Sequence, residues 1–214
     1  MTELLVNEIF HSIQGESTQA GRPCVFIRLT YCNLRCTWCD TEYAFEEGER
    51  MSLDAIIRRV KAFACPLVEV TGGEPLVQEG SLLLMHRLCD EGFETLLETG
   101  GSLDISSIDP RVRKIVDVKC PGSGMEKKNL WSNIAFLGPS DEVKCVIADR
   151  RDFEWAVDVV RRHQLTGRCP VLFSPVFGEL HPLDLSRWVL ESGLPIRVQL
   201  QLHKYIWEPE TRGV

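Results

Sequence analysis

No apolar run in the 214-residue sequence is longer than a buried strand needs, so no segment is expected to span a bilayer. The opening Met1-Thr2-Glu3-Leu4-Leu5 is acidic where a secretion signal is basic, and no small-residue cleavage pattern follows it. A cytoplasmic location, with no membrane partner, is therefore expected. Positive charge is in deficit: 24 Lys and Arg stand against 31 Asp and Glu, a formal net charge of −7. That argues against a phosphate-backbone interface, and so against nucleic acid, and leaves a small molecule as the better-fitting partner. A disulfide framework is also missing, because the nine cysteines are odd in number and no secretion signal precedes them. Linkers, internal repeats and low-complexity tracts are absent too. One domain over residues 1–214 is expected.

What is present reads as strand alternating with helix. Extended, β-branched-rich runs occur at Val25–Leu29, Leu67–Thr71, Thr95–Thr99, Lys114–Lys119, Val143–Ile147, Val171–Ser174 and Ile196–Leu202. Between them, Ser52 suits the N-cap of a helix with Leu53, Ile56, Ile57 and Val60 on one face. Phe153, Ala156, Val157 and Val160 repeat that spacing, as do Leu185, Trp188 and Val189. Ser81–Cys89 is apolar nearly all round and reads as a buried helix. Leu4–Gln14 reads as an extra strand and lead-in, and the Gly-rich, basic stretch Pro121–Ser132 as a mobile loop. Strand–helix alternation gives right-handed βαβ units and a mostly parallel sheet. The chain is shorter than a complete eightfold barrel needs. The expected fold is therefore α/β, a partial TIM-like barrel of about six mostly parallel strands.

Parallel sheets place ligand sites beyond the carboxyl ends of their strands. Polar and glycine residues gather at those ends here. Thr71-Gly72-Gly73-Glu74-Pro75 follows one strand and Glu98-Thr99-Gly100-Gly101 ends the next. Asp117 and Lys119 end another, and Ser174-Pro175 and His203-Lys204 close two more. For any one loop, ordinary turn chemistry is an equally good account.

The cysteines divide into two sets. Cys24, Cys65, Cys89, Cys120, Cys145 and Cys169 are scattered, mostly among apolar neighbours, and read as small core residues. Cys32, Cys36 and Cys39 crowd into eight residues directly after a strand. Thiolates at Cys-x3-Cys-x2-Cys spacing suit zinc or an iron–sulfur cluster. Structural zinc wants four protein ligands, and the local sequence supplies three. Three cysteines can hold three irons of a [4Fe–4S] cubane and leave the fourth open to a ligand. The remaining reading is a surface loop with incidental thiols, which carries a redox liability.

Cys-x3-Cys-x-aromatic-Cys, with Trp38 as the aromatic, resembles the cluster motif of the radical S-adenosylmethionine (SAM) superfamily. Thr71-Gly72-Gly73-Glu74-Pro75 resembles the superfamily's motif for the SAM amino group. More of the chain resembles one branch, the 7-carboxy-7-deazaguanine synthases of queuosine precursor synthesis. The matching segments are Glu8–Ser17, Gly21-Arg22-Pro23, Phe26–Leu29, Cys39-Asp40-Thr41 and Gln201–Tyr205. The resemblance runs to about Pro209. It implies conversion of 6-carboxy-5,6,7,8-tetrahydropterin to 7-carboxy-7-deazaguanine with loss of ammonia. A deoxyadenosyl radical would take hydrogen from C6 of the pterin, and its return would regenerate SAM. The cofactors implied are a [4Fe–4S] cluster, SAM and Mg²⁺. An electron donor of flavodoxin or ferredoxin type and a homodimer are implied as well.

Carried over residue by residue, the resemblance gives Cys32, Cys36 and Cys39 to the cluster and Thr41 to Mg²⁺. It gives Trp38, Cys39, Asp40, Gly72, Gly73, Glu74, Asp117, Val118, Lys119, Ser174, Pro175 and Val176 to SAM. The substrate receives Ile13, Gln14, Gly15, Glu16, Arg28, Thr71, His203 and Pro209. Residue chemistry agrees at several of these. Arg28 offers a carboxylate a bidentate fork, and its apolar neighbours imply a buried strand, which demands a partner for the charge. Gln14, with backbone at Ile13 and Gly15, can read a pterin edge. Glu16 can accept from its amino group. His203 is expected at the end of the last strand, within reach of substrate. Related chains can end at the proline matching Pro209 and present its carboxylate to substrate. Here Glu210–Val214 follows, so Pro209 is left to line the cavity with its backbone. Two other readings make different demands. A glycyl-radical activase would need a protein-docking surface, and an iron–sulfur electron carrier would have no use for the Gly72-Gly73-Glu74 loop.

Overall fold

A computed structural model describes residues 2–214. A nine-stranded sheet runs through the molecule in the order β3-β1-β2-β4-β5-β6-β7-β8-β9. The strands are β1 (Glu3–Ile13), β2 (Pro23–Leu29), β3 (Glu49–Ser52), β4 (Leu67–Gly72) and β5 (Glu94–Thr99). They continue as β6 (Arg113–Asp117), β7 (Glu142–Ile147), β8 (Val171–Pro175) and β9 (Ile196–Val198). From β2 to β9 every neighbouring pair is parallel, which makes seven parallel strands. β1 and β3 add antiparallel to one side. The sheet is an open partial barrel, as expected, with one more parallel strand than the expected six. The unforeseen β3 is four residues long, and its Glu49 and Arg50 lie on an exposed edge.

Helices α1 (Leu53–Lys61), α2 (Gly80–Asp90), α3 (Arg150–Arg162) and α4 (Pro182–Ser192) cover one face. The Ser52 hydroxyl accepts from the Ala55 amide at 3.3 Å, and Leu53, Ile56, Ile57 and Val60 are all buried. This is the N-cap and apolar stripe that the spacing implies. In α3, Phe153, Ala156, Val157 and Val160 are buried, and Asp149 caps through the Asp152 amide. α4 buries Leu185 and Val189, while Trp188 packs its ring 5.6 Å from Phe153. α2 departs from expectation: Leu84, Met85 and Leu88 are buried but Leu83 is 45% exposed. It covers the sheet with one face, so an all-round apolar sequence does not make an all-round buried helix. Five of the scattered cysteines are buried and Cys89 is half-buried, in keeping with a packing role.

Two further segments depart from the sequence reading. The last strand ends at Val198 rather than Leu202, and His203 opens a short helix, α5 (His203–Ile206). The Leu202 amide donates to the Gly15 carbonyl at 3.0 Å, which folds this segment back toward the end of β1. Pro121–Ser132 is not a bare loop but a chain of tight turns. Asn129 clamps it, accepting from the Lys119 amide and donating to the Lys119 and Glu126 carbonyls, each at 2.9 Å.

Candidate active site

The parallel strands alternate. Val25, Ile27, Val68, Val70, Leu97, Val116, Val143, Cys145 and Ile147 face the helices and are buried. Their neighbours one residue along face the concave side and line a cavity of about 730 Å³. These are Phe26 and Arg28 on β2, Glu69 and Thr71 on β4, and Glu98 on β5. Asp117 follows on β6, with Lys144 and Val146 on β7. A cavity of this size suits a cofactor and a small substrate together.

The cluster loop rims one end. Cys32, Cys36 and Cys39 are all half-buried and all line the cavity. Gly72 and Gly73 explain how the loop is held. A Cβ on Gly73 would sit 2.3 Å from the Tyr31 carbonyl oxygen, and one on Gly72 2.2 Å from that of Leu29. The two glycines let β4's end lie directly against the cluster loop. The Gly73 amide donates to Leu29 at 3.1 Å and that of Glu74 to Tyr31 at 2.8 Å. On the other side the Thr37 amide donates to Ser123 at 3.1 Å, and Trp38 stacks over Gly122. Burial raises all three thiols above their ordinary pKa, while the Lys119 ammonium beside Cys32 and Cys36 opposes that rise. Among the described residues no three Cys, His, Asp or Glu side chains converge on one point as the ligands of a single ion would. Three thiols on one rim fit a cubane, which takes one thiolate per iron.

The SAM-assigned residues divide. Trp38, Cys39, Asp40, Gly72, Gly73, Asp117, Lys119 and Val176 line the cavity. Asp117 keeps a buried carboxylate oxygen without a hydrogen-bond partner, an acceptor suited to a ligand hydroxyl or amine. The side chains of the other four are held away from the cavity. Glu74 is fully buried, and its carboxylate accepts from the Thr99 hydroxyl at 2.9 Å, Gly100 amide at 2.7 Å and Leu76 amide at 3.1 Å. Its side chain is spent tying the glycine loop to the end of β5. Val118 and Pro175 are buried outside the cavity wall, because strand alternation turns Val118 to the helix face. Ser174 is fully buried, and its hydroxyl meets the Gln199 amide at 3.3 Å.

All eight substrate-assigned residues line the cavity. Arg28 has the partner its burial demanded: its Nε donates to Glu8 at 2.7 Å, and Tyr43 donates to the same oxygen at 3.0 Å. Its other guanidinium nitrogens make no hydrogen bond among the described residues. Gln14 is spent differently from expectation. Its amide NH₂ donates to Glu69 and its carbonyl accepts from the Glu16 amide at 3.0 Å. It braces the wall rather than offering a free edge. Glu16 accepts from Lys144 at 2.7 Å, Gln201 at 2.9 Å and Gln199 at 3.2 Å. His203 packs on Gly15, where a Cβ would lie 2.3 Å from its Nδ1, and burial pulls its pKa down, which favours the uncharged ring. Thr41 precedes a short turn yet its hydroxyl makes no cap; it donates to Asp40 at 2.9 Å. That leaves a hard oxygen donor at the cavity wall, as Mg²⁺ requires.

Sequence reasoning passed over Glu69, Lys144, Tyr43 and Arg212, and it placed Glu98 and Lys204 at strand ends without giving them a role; all six are in the wall. Lys204 pairs with Asp40 at 2.6 Å. Glu69 and Lys144 did leave a signal: each is a charge flanked on both sides by apolar residues within a parallel strand.

The fold and the cysteine rim define a class, and the chain belongs to the radical SAM superfamily, whose family model matches residues 26–167. Solved structures agree at the level of fold. QueE from Escherichia coli superposes with a TM-score of 0.76 at 22% identity, over 92% of this chain and 93% of that one. SuiB from Streptococcus suis, crystallised with S-adenosylmethionine, gives 0.56 at 14% identity over 80% of this chain and 48% of that one. Within the superfamily the chain belongs to the 7-carboxy-7-deazaguanine synthases. The synthase of Chlorobaculum tepidum is 50% identical over 99% of this chain and 97% of its own. That of Koribacter versatilis is 46% identical over 98% and 99%.

Proposed function

We propose that this cavity converts 6-carboxy-5,6,7,8-tetrahydropterin to 7-carboxy-7-deazaguanine with loss of ammonia, a radical SAM carbon–nitrogen lyase reaction of 7-deazapurine synthesis. The observation that carries the reading is the cavity's polarity. A guanidinium with free donors, Arg28, stands on β2, and the carboxyl groups of Glu69, Glu98 and Asp117 line the same cavity from β4, β5 and β6. A substrate with a carboxylate at one end and an aminopyrimidinone at the other matches both kinds of group at once.

Cys32, Cys36 and Cys39 hold a [4Fe–4S] cluster. With SAM bound, that centre supplies a 5′-deoxyadenosyl radical when one electron enters. Gly72 and Gly73 admit SAM close to the cluster loop, and Asp117 and Lys119 contact it from β6. Trp38, Asp40 and Val176 close around its remaining surface. Arg28 grips the substrate carboxylate, with Thr41 holding Mg²⁺ beside it. Thr71 and His203 hydrogen-bond the ring system, and Glu16 accepts from its amino group. Ile13, Gly15 and Pro209 form apolar and backbone wall, which keeps water from the radical. The electron comes from a flavodoxin- or ferredoxin-type donor. Exposed Arg35, Lys127 and Lys128 near the cluster loop of an acidic protein support an acidic partner. The chain acts as one domain, as a cytoplasmic homodimer; exposed Leu190 and Val198 near the β9 edge support pairing. Among the described residues no helix is long and apolar enough to cross a membrane.

The test is anaerobic cluster reconstitution followed by SAM, a reductant and the carboxytetrahydropterin. A deazapurine forms with SAM regenerated. SAM cleavage without deazapurine would overturn the reading. Cys36→Ala abolishes both turnover and the cluster's visible absorbance.

A further inference from the structure

Lys144 is the one lysine on β7 that faces the cavity, and no step above uses it. Its side chain is 6% exposed, and its register partner across the sheet is Asp117. Its ammonium reaches Glu16 at 2.7 Å, hydrogen-bonds Glu98, and lies 3.9 Å from Asp117. Carboxylates from β5, β6 and the lead-in after β1 thus meet at one nitrogen. Lys119 pairs with Asp117 at 2.8 Å, so three carboxylates share two ammonium groups. The remainder is one negative charge on a buried wall facing the cavity.

We propose that Lys144 is a positioning residue that keeps Glu16 ionised and aimed at the N–H edge of the substrate's aminopyrimidinone. The proposal rests on the function given above and extends it to a residue that does not touch substrate. A carboxylate offers about four lone-pair sites, and Lys144, Gln201 and Gln199 take three from Glu16. One acceptor site is left, and Glu16 lines the cavity. Lys144 spends two of its three protons on carboxylates and has no lone pair, so it is no base. Without it, Glu16 would sit half-desolvated beside Glu98 and would take up a proton. A protonated Glu16 would lose the charge that draws the substrate's N–H donors.

Burial pushes Glu16 upward, but the Lys144 ammonium outweighs that and holds it below its ordinary pKa. Glu16 is faced by Lys144 from β7, His203 from α5 and Glu69 from β4, and Lys144 is itself faced by Glu98 from β5 and Asp117 from β6, which Lys119 partners. Glu69 on β4 is pushed well above its ordinary value, first by burial and then by the Glu98 and Glu16 carboxylates.

The experiment uses the reconstituted holoenzyme and compares kcat/KM for deazapurine formation from pH 6 to 9. Lys144→Met keeps cluster absorbance and SAM affinity but lowers kcat/KM at pH 7 by about a hundredfold, the scale of losing a buried charge-assisted hydrogen bond. It also gains a rising limb with pH that the wild type lacks, as Glu16 regains its charge. Lys144→Arg restores the wild-type profile. Glu16→Gln, which has nothing to titrate, is slow and has no rising limb. A Lys144→Met profile parallel to wild type overturns the proposal, as does Lys144→Arg matching Lys144→Met. If Lys144→Met does not fold, a Glu16→Gln enzyme as fast as wild type overturns it alone. Failure of the functional reading is separate: the wild type itself would then give no deazapurine.

Discussion

Arg28 meets two demands with one planar group. Buried charge needs a partner, and Glu8 supplies it through Nε at 2.7 Å. That contact uses one edge and leaves the Nη edge for a ligand carboxylate. The guanidinium also lies 5.7 Å from the Phe10 ring and 5.8 Å from that of Tyr43, which fix its plane. Arg28→Ala is expected to raise KM for the pterin by roughly 10- to 100-fold, the scale of a hydrogen bond to a charged group. SAM affinity, measured by calorimetry, stays within about twofold because no SAM-assigned residue pairs with Arg28; an equal loss for both would remove its substrate role. Glu69 poses the opposite problem. Burial, then the nearby Glu98 and Glu16 carboxylates, raise its pKa well above the ordinary value. A carboxyl raised in the fold costs nothing below the unfolded pKa of about 4.5, and costs stability as pH climbs above it. Glu69→Gln keeps the acceptor for Gln14 and removes the titration. Its melting temperature is therefore expected to exceed wild type at pH 8, by about 1–2 kcal/mol of stability, and to converge with it near pH 5. A constant gap across that range would contradict a raised Glu69.

At the scale of elements, strand ends do the chemistry and close packing sets them in place. The glycine loop after β4 lies against the cluster loop with no room for a side chain at Gly73. Gly73→Ala must displace the Tyr31 backbone and the Cys32 side chain. It is expected to lower iron and sulfide content after reconstitution and to weaken SAM binding by at least about tenfold. Gly167→Ala, where a Cβ meets nothing within 4 Å, leaves both unchanged and serves as the comparison. The loop's motif was legible, as were the strands, the helix faces and the cysteine rim, because each has a local period or spacing. Less visible was which strand residues turn inward. A parallel strand covered on both faces reads as continuous apolar sequence. Leu67-Val68-Glu69-Val70 breaks that pattern with one buried charge and Glu142-Val143-Lys144-Cys145 with two. The charge itself was the signal that one face opens on a polar cavity. Its partners lie on other strands, 46 residues away for Lys144 and Glu98, and no local pattern encodes them. The use of the Glu74 side chain was hidden for a similar reason. Its motif marks the right loop, but only the fold reveals that Thr99 and Gly100 consume its carboxylate. The last strand was overlong because Gln199 and Gln201 look like strand residues; both instead turn their amides onto Glu16.

At the scale of the whole molecule, an open sheet must close its cavity with something other than strands. β9 and β3 are the two edges, and no ladder joins them. The segment from Gln201 onward crosses that gap. Leu202 binds the Gly15 carbonyl, and Pro209 to Val214 line the cavity beside Tyr43. Arg212 fixes this strap by lying 3.8 Å over the Tyr43 ring and pairing with Glu47 at 2.9 Å. Tyr43 in turn holds Glu8, which holds Arg28, so the strap and the proposed carboxylate site share one ring. The Arg212 pair is exposed, and exposed pairs contribute little to folding. Its consequence is therefore expected in binding rather than in stability. Deleting residues 210–214 should leave the melting temperature and cluster content unchanged. KM for the pterin should rise about three- to tenfold, and SAM cleaved per deazapurine formed should increase as water and solvent hydrogen reach the radical. Arg212→Ala should give the same change in smaller measure. A truncated enzyme with wild-type KM and coupling would show that the strap only rests on the cavity and takes no part in closing it.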